Sequence, residues 1–245
     1  MFKTIRKLLG CKEDYWQEQT IQSNIKLREM EKELDSLKSK LPTTPYELIK
    51  YILKYKSGTI VYKCRYVNDK AIPVDVRNFL TPHDGMLKNL TATIINRDNS
   101  DDEKAVKILE WVVKNIKYTS DKKEHWQFPF ETIKLKTGDC DDMSILLSSL
   151  LVASGIHPLK VRLTCGYVNN LKKEFGHCYP TYYDETKDRW VLLDATFYPN
   201  YLTIQDRKDY KLENKYKKVW FSWDVYNCYY KDLRDIEKLK DMEVI

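Results

Sequence analysis

Thr137-Gly138-Asp139-Cys140-Asp141-Asp142 runs directly into Met143-Ser144-Ile145-Leu146-Leu147-Ser148-Ser149-Leu150-Leu151, and the reading of this junction decides the fold. Met143, Leu146, Leu147, Leu150 and Leu151 recur at helical spacing, which predicts a helix with one buried face and a firmly held first turn. Gly155 supplies the stop. Asp139 is typed as the N-cap, so Cys140 becomes the first helical residue, beside backbone N–H groups that lack partners inside the helix. Those donors and the helix dipole favour an anion, so they lower a thiol pKa and can hold an oxyanion.

A reactive cysteine needs a base, and the base needs an orienting group. Phe175-Gly176-His177-Cys178-Tyr179 and Arg189-Trp190-Val191-Leu192-Leu193-Asp194-Ala195-Thr196 supply candidates in strand-like runs. The turn-forming Asp184-Glu185-Thr186-Lys187-Asp188 between them predicts an antiparallel pair, with His177 and Asp194 on neighbouring strands. A helix start that presents Cys140 to that sheet makes a Cys, His, Asp triad. Strand alternation puts Cys178 on the face opposite His177, which argues against Cys178 as the nucleophile.

The order and setting of these residues resemble the transglutaminase-like superfamily, whose core is shared with papain-type cysteine proteases. The resemblance runs from about Asp101 to Thr196, roughly two fifths of the chain. It rests on a helix before the site, Trp126 and Pro129-Phe130-Glu131-Thr132 leading in, Gly-Asp-Cys-Asp-Asp with its Leu-rich helix, Gly176-His177, and Leu193-Asp194-Ala195-Thr196. It implies an α+β fold in which the helix carrying Cys140 packs on an antiparallel sheet carrying His177 and Asp194. By the same resemblance Cys140 is the nucleophile, His177 the general base and acid, and Asp194 the group that orients His177. The implied chemistry is acyl transfer from an amide through a thioester. Water as acceptor gives a cysteine peptidase or amidase on a protein or peptide substrate, towards which the family tilts the reading; an amine as acceptor gives a crosslink. No cofactor and no metal is expected, because the acidic cluster lacks EF-hand spacing and the cysteines form no C-x-x-C pair.

Asp141 and Asp142 oppose a thiolate. An imidazolium at ~4 Å from sulfur is worth about 4 kcal/mol at an effective dielectric near 20, against about 2 for a carboxylate at ~8 Å. The ion pair is expected to win if the carboxylates point away; the alternative is that they cap the helix or bind loop N–H groups. Trp126 and Gln127 precede the site in a loop, where the indole can wall it and the amide can help bind an oxyanion. For Gln127 the competing reading is an ordinary exposed loop residue.

Around this core, residues 1–42 read as an N-terminal helical arm and 43–245 as the transglutaminase-like domain, its catalytic part at about 101–200. Leu27, Met30, Leu34, Leu37 and Leu41 form a short heptad seam on one extended charged helix. That seam fits oligomerisation or docking onto a larger particle, or a helix packing back on its own domain; with docking, the fold could also be a non-catalytic assembly component. Pro42-Thr43-Thr44-Pro45 breaks the arm. Tyr46 to Tyr55 reads as helix, Gly58 to Val67 as strand, Ile72 to Asn96 as a short strand or loop and then a helix from about Asp84. Ser100-Asp101-Asp102-Glu103 is a capping box ahead of the apolar stripe Ala105, Ile108, Leu109, Val112 and Ile116. Leu159 to Val168 reads as the first core strand, and Asn169-Asn170 as the start of a loop ending at His177.

The 245 residues suffice for a real core, and the composition is globular. A net charge of +6 is a solubility feature before it is a nucleic-acid signal. The Lys- and aromatic-rich segment through Trp220, Phe221 and Trp223 reads as a solvated loop and an inward-packing strand rather than a single-strand nucleic-acid surface. No run is long enough for a membrane helix. The lipobox-like ending at Cys11 is spoiled by Arg6 and Lys7 in the apolar region. The expectation is a cytoplasmic protein with reduced thiols.

Overall fold

A computed structural model describes residues 56–67, 70–121, 124–170, 173–197, 199–239 and 241–244. The predicted arm, its boundary at Pro42 to Pro45 and the helix expected over Tyr46 to Tyr55 lie outside these residues. The chain opens with β1 (Lys56–Gly58) and β2 (Ile60–Val67), which divide the single strand expected there. β3 (Lys70–Asp75) pairs antiparallel with β2. Asp84 accepts from the Met86 N–H at 2.7 Å and so starts α1 (Gly85–Ile94). Ser100 and Glu103 exchange both bonds of a capping box, 3.3 and 2.8 Å, at the head of α2 (Asp101–Asn115). The predicted stripe from Ala105 to Ile116 is buried.

β4 (Lys117–Tyr118) pairs in parallel with β5 (Thr137–Gly138), and between them α3 (Pro129–Leu135) begins with proline at its first position. α4 (Cys140–Ala153) follows at once and ends before Gly155, whose φ of 93° is left-handed backbone that glycine adopts without strain. β6 (Val161–Asn170) and β7 (Lys173–Asp184) form a hairpin paired from Val161 with Tyr182 to Asn170 with Lys173. Of the loop expected from Asn169 to His177, Asn169, Asn170 and Lys173 to His177 are therefore strand. The ladder satisfies backbone groups that a loop would leave to water, and the Asn169 N–H also donates to the Lys215 carbonyl at 2.8 Å. Asp184 to Asp188 is the predicted turn: Asp184 Oδ1 accepts from the Thr186 and Lys187 N–H groups, and Asp188 takes φ 48°.

β8 (Arg189–Leu192), β9 (Tyr216–Trp223) and β10 (Cys228–Tyr230) complete a six-stranded sheet in the order β1-β10-β9-β6-β7-β8, whose pairings are all antiparallel. A short helix, α5 (Leu233–Glu237), leads to β11 (Met242–Val244), which joins β2 and β3 in a second sheet.

Helix α4 lies between two cores. One joins it to α1, α2, β7 and β8 through Leu109, Leu146, Leu150, Tyr182 and Val191. The other gathers Trp126, Ile145, Leu163, Phe221 and Trp223. The helix is buried on every side from Asp141 to Leu151, wider than the single face expected. The serines between its leucines make this tolerable: Ser144 Oγ donates to the Cys178 carbonyl at 3.0 Å, and Ser149 Oγ accepts from the Thr81 N–H at 3.2 Å. Truncating Leu146 or Leu150 to alanine should cost about 2–5 kcal/mol. Among the described residues no helix is long and apolar enough to cross a membrane.

Candidate active site

His177 lies on β7, and Asp194 lies two residues beyond the end of β8. The β7–β8 ladder continues as far as the Leu193 N–H, which donates to the Pro180 carbonyl at 3.0 Å, and this carries Asp194 back towards His177. His177 Nε2 and Asp194 Oδ2 are 2.7 Å apart, with both side chains almost completely buried. A carboxylate oxygen accepts, so Nε2 carries the proton in the neutral ring and Nδ1 keeps a lone pair.

Asp194 is saturated. Tyr216 donates its hydroxyl to Oδ2 at 2.7 Å, while the Thr196 N–H, the Thr196 hydroxyl and the Phe197 N–H reach Oδ1 at 2.8, 3.0 and 3.0 Å. Burial works to raise its pKa, but the hydrogen bond and charge of His177, then Tyr216 and the Thr196 N–H, more than offset it, and the net shift is downward. The His177 ring sits among Phe175, Tyr179, Phe197 and Tyr216. Tyr216 is the partner that sequence reasoning missed. It arrives from β9 because that strand pairs with β6, with Tyr216 opposite Val168 beyond a register shift, and no local motif announces such a contact.

Cys140 is the first residue of α4 and is half-buried. Its sulfur lies 4.0 Å from Asp141 Oδ2. Burial pushes the thiol well above its ordinary pKa, and the charges of Asp141, Cys178 and Asp139 push the same way, against the backbone of Cys178, which lowers it. The thiol lowering expected from the helix start is thus outweighed. Asp141 does not point away, and its carboxylate stands where the imidazolium was expected to win. The structure places Cys140 beside the backbone of Cys178, the residue after His177, with Asp141 Oδ2 on the sulfur as well.

Asp139 holds the N-cap position with extended backbone (φ −98°, ψ −156°), but its Oδ1 is buried without a partner. The capping work passes to Asp142, whose Oδ1 accepts from the Gln127 N–H at 2.7 Å and whose Oδ2 accepts from the Asp139 N–H at 3.2 Å. Gly138 permits this: a Cβ there would stand 2.6 Å from Asp142 Cβ. Burial, then the charge of Asp139, outweighs those bonds and raises the Asp142 carboxyl to about 7; Asp141 is raised well above the usual range by burial, Asp139 and Asp142. Asp139, Cys140 and Asp141 each offer one ligand atom, and these lie within 4.8 Å of one another, close enough to share a cation.

Trp126 is 2% exposed. Its indole stacks on Trp223 at 5.6 Å and packs edge-on against Tyr62 and Phe79, and its N–H donates to Glu124 Oε1 at 3.0 Å. The residue expected to wall the site is part of the core beneath it. Gln127 is 7% exposed, so the reading as an ordinary exposed loop residue does not hold, and its Oε1 has no partner.

A model of the transglutaminase-like superfamily matches residues 88–195, which span α2, α3, α4, the β6–β7 hairpin and β8 through Asp194. Over these residues the chain is similar to that superfamily. The mixed helix and antiparallel-sheet architecture is the one the resemblance implied. No curated protein matches the chain significantly. Among solved structures, calcium-bound LapG of Legionella pneumophila is 16% identical, over 77% of this chain and 88% of that one, with a TM-score of 0.48. A candidate cysteine protease from Cytophaga hutchinsonii is 20% identical, over 76% of this chain and 57% of that one, with a TM-score of 0.44.

Proposed function

We propose that this transglutaminase-like chain is a thiol hydrolase that cleaves amide bonds of proteins or peptides through a thioester on Cys140. The observation that carries the reading is the buried 2.7 Å bond from His177 Nε2 to Asp194 Oδ2, with His177 on the strand whose next residue, Cys178, offers its backbone to the Cys140 thiol. With Nε2–H committed to Asp194, Nδ1 is the basic atom. The raised thiol pKa favours a resting thiol over a preformed thiolate–imidazolium pair, so proton transfer accompanies attack. His177 takes the Cys140 proton as sulfur bonds to the carbonyl carbon. It returns that proton to the leaving amine as the C–N bond breaks. Water, deprotonated by the same nitrogen, then releases the acid and regenerates the thiol. The oxyanion is served by the N–H groups at the start of α4, with Gln127 as a candidate second donor. Asp194, held by five hydrogen bonds, keeps the ring oriented and stabilises its charged form.

A peptide carrying an electrophilic carbonyl should form a covalent adduct on Cys140 in the wild type, located by peptide mass mapping. The His177→Ala variant should form it at least about a hundredfold more slowly. Adduct on another cysteine, or an undiminished rate without His177, overturns the assignment. Incorporation of an added primary amine in place of hydrolysis would move the reading to amine transfer.

A further inference from the structure

A cavity of about 610 Å³ opens beside Gln127, a size that accommodates one long side chain with its flanking backbone. Its wall is already neutralised. Glu131 is held by Arg65 through two bonds, 2.8 and 2.9 Å, and also accepts from the Phe128 N–H at 2.7 Å. His125 Nε2 faces Arg65 Nη1 at 2.9 Å; a guanidinium only donates, so that nitrogen carries the lone pair and the ring is neutral, with burial and then the Arg65 charge lowering its pKa.

What remains on the wall is one exposed carboxylate and an apolar ledge. Asp121 lines the cavity as an exposed carboxylate. Gln127 lines it too, although its Oε1, which has no hydrogen-bond partner, is sealed from the cavity. Phe130 and Leu135, 37% and 58% exposed, add apolar surface. Burial and then the Asp139 charge push the Asp121 carboxyl up, a penalty that a neighbouring cation relieves. Although the whole chain carries +6, this corner concentrates acids, with Glu124, Asp139, Asp141 and Asp142 behind Asp121. Among the described residues that line the cavity, the opposing charge is Lys134, an exposed residue on α3 whose long stem can carry its ammonium into solvent.

We propose that this cavity is a substrate subsite for a lysine or arginine side chain of the polypeptide cleaved at Cys140, its stem on Phe130 and Leu135 and its cation facing Asp121. The cleavage part rests on the function proposed above; the recognition part does not. Two measurements keep them apart. Quenched fluorogenic peptides that place Lys, Arg, norleucine or Glu at successive positions around the scissile bond give kcat/KM for the wild type, Asp121→Asn and Lys134→Glu. A basic residue at one position should be favoured over Glu by about tenfold, with the preference reduced several-fold in Asp121→Asn and enlarged in Lys134→Glu. The same peptides, labelled for fluorescence anisotropy against Cys140→Ala, report binding without turnover. Basic preference in binding, weakened by Asp121→Asn, together with no hydrolysis by the wild type, would remove the hydrolase and keep the subsite. Hydrolysis with no preference, or a preference that ignores both Asp121→Asn and Lys134→Glu, overturns the subsite, as does failure of every peptide to bind. Both substituted side chains are exposed, so the thermal unfolding midpoint should stay at that of the wild type.

Discussion

The two halves of the site are built to opposite rules. On the His177 side the carboxylate is fully matched: Asp194 collects donors on both oxygens, and its pKa is lowered even though it is buried. On the Cys140 side the acids repel one another, Asp139 Oδ1 and Gln127 Oε1 go without partners, and the thiol is driven up. The protein has fully organised the base and left the nucleophile in a field that wants positive charge. The difference teaches where the free energy of substrate binding can act. Nothing is gained by adding a donor to Asp194, whereas a cation arriving beside Cys140 relieves several strained acids at once.

The sharpest way to break that comparison is Asp194→Asn. Both carboxylate oxygens accept, so an amide must turn its NH2 either to His177 and Tyr216 or to the Thr196 and Phe197 N–H groups, and either way a donor meets a donor. Peptide hydrolysis should fall about 10²–10⁴-fold in kcat/KM, read with the protein shown to be folded. A loss under tenfold would mean that the orientation of His177 does not depend on this carboxylate.

A smaller effect tests the acidic side through pH. Asp142 has a folded pKa of about 7, above its usual value of 3.8. As pH rises from about 4, the unfolded chain sheds this proton while the folded chain retains it, so stability falls until about pH 7 and then levels. Asp194, lowered, acts the other way, and its contribution is lost only as pH falls below about 4. Calorimetry should find Tm about 2–6 °C higher near pH 5 than near pH 8, and Asp142→Asn should make that slope shallower without abolishing it, because Asp141 and Glu124 are shifted the same way. An unchanged slope would place the strain elsewhere.

The smallest effect belongs to Tyr216→Phe, which removes one donor among five at Asp194. It should lower kcat/KM about three- to tenfold. A loss as large as that of Asp194→Asn would show that the carboxylate leans on one tyrosine rather than on the whole cradle.

The legible part of this molecule was the part that local rules govern. The capping box at Ser100, the stripe on α2, the stop at Gly155, the Asp184 turn and the start of α4 at Cys140 each follow from a few consecutive residues. His177 and Asp194 were legible as a pair because a short turn fixes their register. What escaped depends on contacts across the sheet. Trp126 reads as a loop aromatic until Trp223 of β9 is laid over it. Tyr216 reads as one tyrosine among many until the shifted β6–β9 register carries it to Asp194. Whether Asp141 points away from the sulfur is left open by the sequence; α4 is buried all round, and no outward direction remains.

That burial sets limits on how this protein can diverge. The helix that carries the sulfur is shared by two cores, so nearly every substitution along it is felt in folding before it is felt in chemistry. New specificities would therefore arise on the surfaces that merely look towards the sulfur, such as the rim bearing Asp121 and Lys134, where a changed side chain disturbs no packing. Lineages built on this plan should keep the helix nearly fixed and explore at the rim.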